Sequence, residues 1–184
     1  EDTMGKHYDL KKIEKKLERR IEQLSDALSS KPDEIREIWL PERKIAFLRK
    51  EIPLSDDLEH PIRELERQNH LNPVMFLGKV GVSLALEDIL AGQFSRFSGI
   101  FVFLEQEDEF QGQGGCIAGG LYAAIRYSGT HSQAAQSYKK LLEYIDSHGY
   151  ECSGDSVEVT LIDAGFTNDA EKFVTELQLP LRKK

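Results

Sequence analysis

Apolar positions along this chain change their period several times, and each change marks an element. Between residues 9 and 29, Leu10, Leu17 and Leu24 stand seven apart, and Glu14, Ile21 and Leu28 form an interleaved row with the same spacing. The pattern contains no Gly or Pro and predicts a helix with one apolar seam, broken by an acid at Glu14 beside Ile13. Opposite charges three apart, as in Lys11 with Glu14, Lys15 with Glu18 and Arg19 with Glu22, lend its flanks modest support. Ser29-Ser30-Lys31-Pro32-Asp33 stops the helix, and a separate globular domain is expected from Glu34. A lone helix of this length is marginal in water. Either one stripe faces the core of the domain or, as favoured here, residues 1–31 form a dimerisation helix that pairs two copies.

Beyond Glu34 the period shortens. Ile35 to Lys50 reads as a strand, with Pro41 marking an edge or a bulge. Leu58, Ile62 and Leu65 give Asp56 to Asn69 helical spacing, and Ser55-Asp56-Asp57 can cap its start. Val74 to Leu86 and Gly99 to Glu105 read as strands. The latter sets Ile100, Val102 and Leu104 against Phe101 and Phe103, so both of its faces are apolar and expected to be covered. An acidic, glycine-rich connection (Gln106 to Gly115) leads to a strand over Gly119 to Tyr127. Ser132 to His148 is a predicted helix with Ala135, Tyr138, Leu142 and Ile145 on one stripe, and Gly149 and Gly154 punctuate its exit. Val157 to Ile162 and Phe173 to Leu181 complete the strands. The order is β-α-β-β followed by β-α-β-β: an α+β fold of duplicated units, with a cleft expected where the halves meet.

Composition narrows the function classes. A chain of 184 residues with 40% hydrophobic content suits one domain plus an appendage. The net charge of −8 argues against a direct grip on nucleic acid, which relies on basic clusters. It is compatible with weak attraction of cations. Cys116 and Cys152 form no metal or redox motif and read as free thiols of a reducing cytosol. No secretory segment and no run of the roughly 20 apolar residues of a membrane span is present. The expectation is a cytoplasmic protein with no membrane partner.

One residue breaks the apolar pattern informatively. Glu158 lies inside Val157-Glu158-Val159-Thr160-Leu161-Ile162, and a carboxylate buried there is costly without a partner. Alternation places Val157, Val159 and Leu161 on one face and Glu158 on the other. The all-apolar face is expected to meet the helix 132–148, with Glu158 turned towards the cleft or towards water. Phe97, Phe101, Phe103, Tyr122, Tyr127 and Phe173 sit on or beside strands, and each alone reads more readily as core than as a ligand contact. As a set beside one acid they suggest a cleft with an anionic anchor for a cationic ligand. Trp39, the single tryptophan, is expected to pack.

Catalytic patterns are poor. His7, His60, His70, His131 and His148 form no metal-ligand motif, and no nucleophile elbow appears. Gly112-Gln113-Gly114-Gly115 lacks the lysine and helix start of a phosphate loop. Acid–base work by Glu158 with Tyr122 or His131 is conceivable but unforced by spacing. No cofactor and no enzymatic activity are expected.

Four segments carry a resemblance: Ala118-Gly119-Gly120-Leu121-Tyr122-Ala123-Ala124-Ile125-Arg126-Tyr127, Ser128-Gly129-Thr130-His131, Leu141-Leu142-Glu143-Tyr144-Ile145 and Gly154-Asp155-Ser156-Val157-Glu158. Together they resemble the second half of a GyrI-like domain, the effector-binding portion of multidrug-responsive MerR-type transcription regulators. Pro41-Glu42-Arg43 is similar to the start of the same domain, so the likeness spans about 34–182. It implies a cleft for lipophilic, often cationic compounds, with Glu158 as the acid at its base. Phe97 and Phe173 match aromatic cleft positions by their place in their strands, and Phe101 and Tyr122 match less closely. The helix at 9–29 looks like the end of the dimerisation helix of such regulators. The chain departs from them at Ala134 and Ala135, where a further aromatic can stand, and in lacking the N-terminal winged helix-turn-helix through which DNA would be bound. The implied function is a small-molecule sensor controlling transcription. The alternatives are a GyrI-like hydrolase using the cleft glutamate as general base, or a stand-alone binding protein.

Overall fold

The computed structural model describes residues 2–72, 80–106, 108, 110, 112, 114–162 and 168–184, with the backbone alone for residues 2–9 and 162. A long helix α1 (Asp2–Ser29) precedes β1 (Arg36–Leu40), β2 (Arg43–Pro53), α2 (Glu59–Asn69), β3 (Val80–Ser83), α3 (Leu86–Leu90) and β4 (Arg96–Phe103). The second half holds β5 (Gly115–Ile117), β6 (Gly120–Ser128), α4 (Ala134–Ser147), β7 (Tyr150–Cys152), β8 (Val157–Ile162) and β9 (Val174–Lys183). Strands β2, β3 and β4 with α2 form one β-α-β-β unit, and β6, β8 and β9 with α4 form the other.

The sheet runs β1-β6-β9-β8-β3-β4-β2-β5, with every pairing antiparallel. The halves meet where β3 pairs β8, Val82 lying opposite Glu158 and Gly81 opposite Val159. Outside this symmetric core each half lends its leading strand to the other. β1 pairs β6 and β5 pairs β2, although β1 runs directly into β2 and β5 into β6. Two connections of two residues, Pro41–Glu42 and Ala118–Gly119, therefore span opposite edges of the sheet. A flat sheet with strands about 4.8 Å apart cannot accommodate this, so the sheet curls until its edges meet. The curl is visible in the side chains, since Arg43 at the start of β2 donates from Nη1 to Gln178 Oε1 of β9 at 2.9 Å. Where the connections cross, the chains touch through Gly119: a β-carbon there would stand 2.7 Å from Glu42 N.

The concave face carries Phe101, Phe103, Val157, Val159 and Leu161, against which Leu24 and Ala27 of α1 pack. Charges fasten α1 in place. The buried Lys16 ammonium lies 3.2 Å from Glu105 and 3.0 Å from Asp108, and Arg126 Nη2 donates to Asp26 at 2.5 Å. The opposite, convex face holds the larger core, including Ile52, Leu65, Val82, Ile100, Ile125, Leu177 and Tyr138, and is covered by α2 and α4.

Several expectations are revised. The strand expected over Ile35 to Lys50 is two strands, because Pro41 supplies no donor where the chain leaves one edge for the other. Of the strand expected over Val74 to Leu86, Val80–Ser83 is a strand and Leu86 begins α3, while residues 73–79 lie outside the described residues. The connection Gln106 to Gly115 also falls partly outside them. Helix α2 begins at Glu59, whose N–H donates to Asp57 Oδ1 at 2.8 Å, so one residue of the expected cap serves. The stripe of α4 is rotated by a residue, and Ala134, Tyr138, Leu141 and Ile145 face inward. Trp39 does not pack; it is 79% exposed on β1.

The crossing makes a test. Gly119→Ala is expected to lower stability by about 1–3 kcal/mol, the usual cost of overpacking. At Gly154 an added β-carbon meets only Pro180 Cγ, at 3.4 Å, so Gly154→Ala should stay within roughly 0.5 kcal/mol of the parent. Urea unfolding of the two variants checks the difference.

Candidate functional site

Glu158 is the second residue of β8, on the strand where the halves meet, and its side chain is fully buried. It shares the convex face with its strand partners Val82 and Leu177, under helix α4. The expected assignment of faces is reversed: Val157, Val159 and Leu161 meet α1 and the phenylalanines of the concave face. Both faces of β8 are covered by helix, so alternation separates the two sets without telling which helix each one meets.

Two hydroxyls satisfy the carboxylate. Tyr127 of β6 donates to Oε1 at 2.9 Å, and Tyr138 of α4 donates to Oε2 at 2.7 Å. A tyrosine has one proton to give, which orders the rest of the network. Ser156 Oγ, 2.7 Å from the Tyr138 oxygen, must donate to it while accepting the Leu84 N–H at 2.8 Å. His131 Nδ1 lies 3.2 Å from the Tyr127 oxygen and 3.5 Å from Glu158 Oε1, so the same logic makes Nδ1–H a donor to Tyr127. The two chains of donors converge on one anion, and such chains strengthen one another in a low-dielectric interior.

Burial first, then the Glu158 charge and the hydrogen bond to it, push both tyrosine hydroxyls far above their ordinary titration range, against the opposing hydrogen bonds of Thr175 to Tyr127 and Ser156 to Tyr138. Both stay protonated and remain donors. Aromatic rings close the surroundings. Phe94 stacks on Tyr138 with centroids 4.9 Å apart, and Phe97 meets His131 edge-on at 5.2 Å. His131, with 21% of its side chain exposed, is where the network approaches solvent. Among the described residues it is the only basic side chain with a nitrogen within 4 Å of the Glu158 carboxylate. Among them, too, no cluster of His, Cys, Asp and Glu is arranged to hold a metal ion, and no helix is long and apolar enough to cross a membrane.

Of the residues anticipated beside Glu158, the fold brings Phe97 near, through His131. It does not bring Phe101 or Tyr122. Phe101 lies on the concave face, and Tyr122, whose hydroxyl donates to Ala118 O at 2.5 Å, packs under Arg43. Phe173 is half-buried at the entrance to β9, its carbonyl accepting the Gly129 N–H at 2.8 Å. Tyr127, one of the anticipated aromatic set, is brought against Glu158, whereas Tyr138, Ser156 and Phe94 were missed altogether as site residues. Tyr138 was the legible one, since a hydroxyl in the middle of a buried helical stripe needs a polar partner.

Residues 33–182 match the family described as the GyrI-like small molecule binding domain. No curated protein matches the chain. Among solved structures, the C-terminal domain of EcmrR is similar in fold, with a TM-score of 0.60 at 14% identity over 83% of this chain and 99% of that one. A hydrolase from Listeria innocua is similar at a TM-score of 0.58 and 11% identity, over 86% and 96%. EcmrR in its complex with DNA has a TM-score of 0.59 at 14% identity, covering 99% of this chain and 69% of that chain.

The network carries a pH signature. The Tyr127 proton is held in the folded protein above the pH, near 10, at which an unfolded chain releases it. Its contribution is complete below that pH and is lost as pH rises. Stability measured by urea unfolding between about pH 10 and 11.5 should fall more steeply for the parent than for Tyr127→Phe, by about 1.4 kcal/mol per pH unit.

Proposed function

Because the chain belongs to the GyrI-like small-molecule-binding family, we propose that it senses lipophilic cations, with Glu158 as the anchor. The observation that carries this reading is a fully buried carboxylate held by two neutral hydroxyls and one imidazole, with no lysine or arginine in its ion-pair shell among the described residues. A cation that displaced the tyrosine hydroxyls would supply the opposite charge that burial makes valuable. Phe94, Phe97, Tyr127 and Tyr138 would part to form its walls, giving ring faces to the cation. The Glu158 side chain is fully buried, so binding there requires this aromatic cluster to rearrange; a 380 Å³ cavity opens on the other face. Phe101 and Tyr122, on the concave face, then stand outside the site, and Phe173 belongs to its rim.

The expected result is that Glu158→Gln weakens ethidium roughly 10- to 100-fold, the scale of one charged contact. Binding of uncharged phenanthridine should hardly change. Equal losses for the two ligands in a fluorescence titration would remove the anchor role.

In this reading the sensor acts on transcription through a DNA-binding module outside this chain and assembles as a homodimer through α1. Leu24 and Ala27 face inward, yet Leu10, Leu17, Ile21 and Leu28 remain 62%, 46%, 65% and 77% exposed at spacings of seven, four and seven. That is the seam a second helix would cover. The fold likeness to EcmrR in its DNA complex extends over nearly the whole chain, α1 included, which supports the same placement. Light scattering should find the parent a dimer at micromolar concentration and Ile21→Glu a monomer. A monomeric parent would sink the pairing.

The second reading, hydrolysis, draws on the His131–Tyr127–Glu158 contacts, which resemble a general-base relay, and on the fold likeness to a protein named as a hydrolase. We favour binding without turnover. Each Glu158 oxygen already accepts a hydroxyl proton donor, and an epoxide or ester probe recovered intact after incubation is the expected outcome.

A further inference from the structure

The concave face holds a second, chemically opposite feature. Arg43 places its guanidinium 5.4 Å from the ring centroids of both Phe103 and Tyr122, and Nη1 is tethered to Gln178. Its Nε and Nη2 are buried, and neither has a hydrogen-bond partner among the described residues. Buried donors without acceptors are rare and call for a cause. These two are no random pair: Nε–H and the adjacent Nη–H form the side-on fork that grips a carboxylate through two parallel bonds. Beside Arg43 lies the 380 Å³ cavity, walled by Phe103 and Val159, by Gln178, and by Arg19 and Gln23 of α1. That volume falls within the range of small-molecule sites. The Arg19 charge is engaged by Glu105, and Lys44 and Glu42 also line the hollow; of its cations Arg43 is the one with buried donors that lack acceptors among the described residues.

We propose that this cavity is a binding site for small aromatic carboxylates, separate from Glu158, with the carboxylate on the Arg43 fork and the ring against Phe103 and Val159. Aromatic faces under the guanidinium hold it flat, and the Gln178 bond fixes its rotation, so the fork is set before a ligand arrives. Because one wall is α1, occupancy of the site bears directly on how that helix sits against the sheet.

The test is calorimetric titration of the full chain with 2-naphthoate and with its uncharged isostere 2-naphthamide. The parent should bind naphthoate saturably and at least roughly tenfold more tightly than the amide, the scale of a bidentate charged pair. Arg43→Gln should abolish that preference, and Arg43→Lys, which keeps the charge but loses the fork, should abolish most of it. The urea midpoint of Arg43→Gln should hold or rise, since an unpaired buried cation has been removed. Should Arg43→Gln fail to fold, Arg43→Lys decides alone. Absence of saturable naphthoate binding up to millimolar concentration overturns the proposal, and so does a preference that survives in the variants. Neither result depends on whether cations bind at Glu158.

Discussion

The shape of this domain follows from two connections too short for the distance they must cover on a flat sheet. Pro41–Glu42 and Ala118–Gly119 each carry the chain from one edge of the sheet to the other and pass within van der Waals contact at Gly119. Once the sheet is forced to curl, its two faces cease to be equivalent. The concave face is narrow, lets side chains from distant strands touch, and is closed by a single helix, α1. The convex face is broad enough for two helices, one from each half. Each half pays its own leading strand into the other's edge, so neither could fold to this geometry alone.

Between the faces lies β8, and its composition answers to both. Even-numbered Glu158 and Thr160 point one way, while Val157, Val159 and Leu161 point the other. The acid is tolerated because its neighbours bring hydroxyl donors from two separate elements, Tyr127 from β6 and Tyr138 from α4, with His131 of the turn between them bonded behind Tyr127. Removing one such donor leaves a buried carboxylate oxygen unsatisfied, which typically costs about 1–3 kcal/mol or more. In the proposed function, the same network that stabilises the fold keeps the anion available to a cation.

Much of this was legible from the chain alone. The alternation in β4, with Ile100 and Val102 against Phe101 and Phe103, announced a strand covered on both faces, and the break at Leu58, Ile62 and Leu65 announced α2. Glu158 stood out because a charge in an apolar run demands a reason. The rest was illegible for physical reasons. The pairing of β1 with β6, rather than with β2, is a long-range choice that no local period encodes, and the two-residue strand break at Pro41 looks the same as a bulge. With both faces of β8 apolar or buried, hydrophobicity could not say which face meets which helix. Phe101 and Tyr122 were therefore drawn towards Glu158, although the curl sets them on the other side of the sheet. Arg43 entered only through the Pro41-Glu42-Arg43 likeness and gave no sign of a site, since an arginine after Pro-Glu reads as surface until the curl buries it.

One strand thick, the sheet is all that separates the two candidate sites. Glu158 and Val159 are adjacent residues, the first bonded beneath α4, the second lining the cavity against α1. A backbone segment cannot shift on one face alone, because its pleat carries both sets of side chains. Gly81 tightens this further: a β-carbon there would stand 2.5 Å from the Phe101 ring and 2.9 Å from the Glu158 carbonyl oxygen, so β3, β4 and β8 meet with no slack. A ligand that rearranges Tyr127 and Tyr138 must therefore be accommodated by β8, and β8 bears on Leu24 and Ala27. For such contact to become a signal, the ligand needs different affinities for two positions of α1. The fastenings of that helix, Lys16 between two acids and Asp26 on Arg126, are ionic and geometrically exacting, which is the kind of contact that is either made or lost.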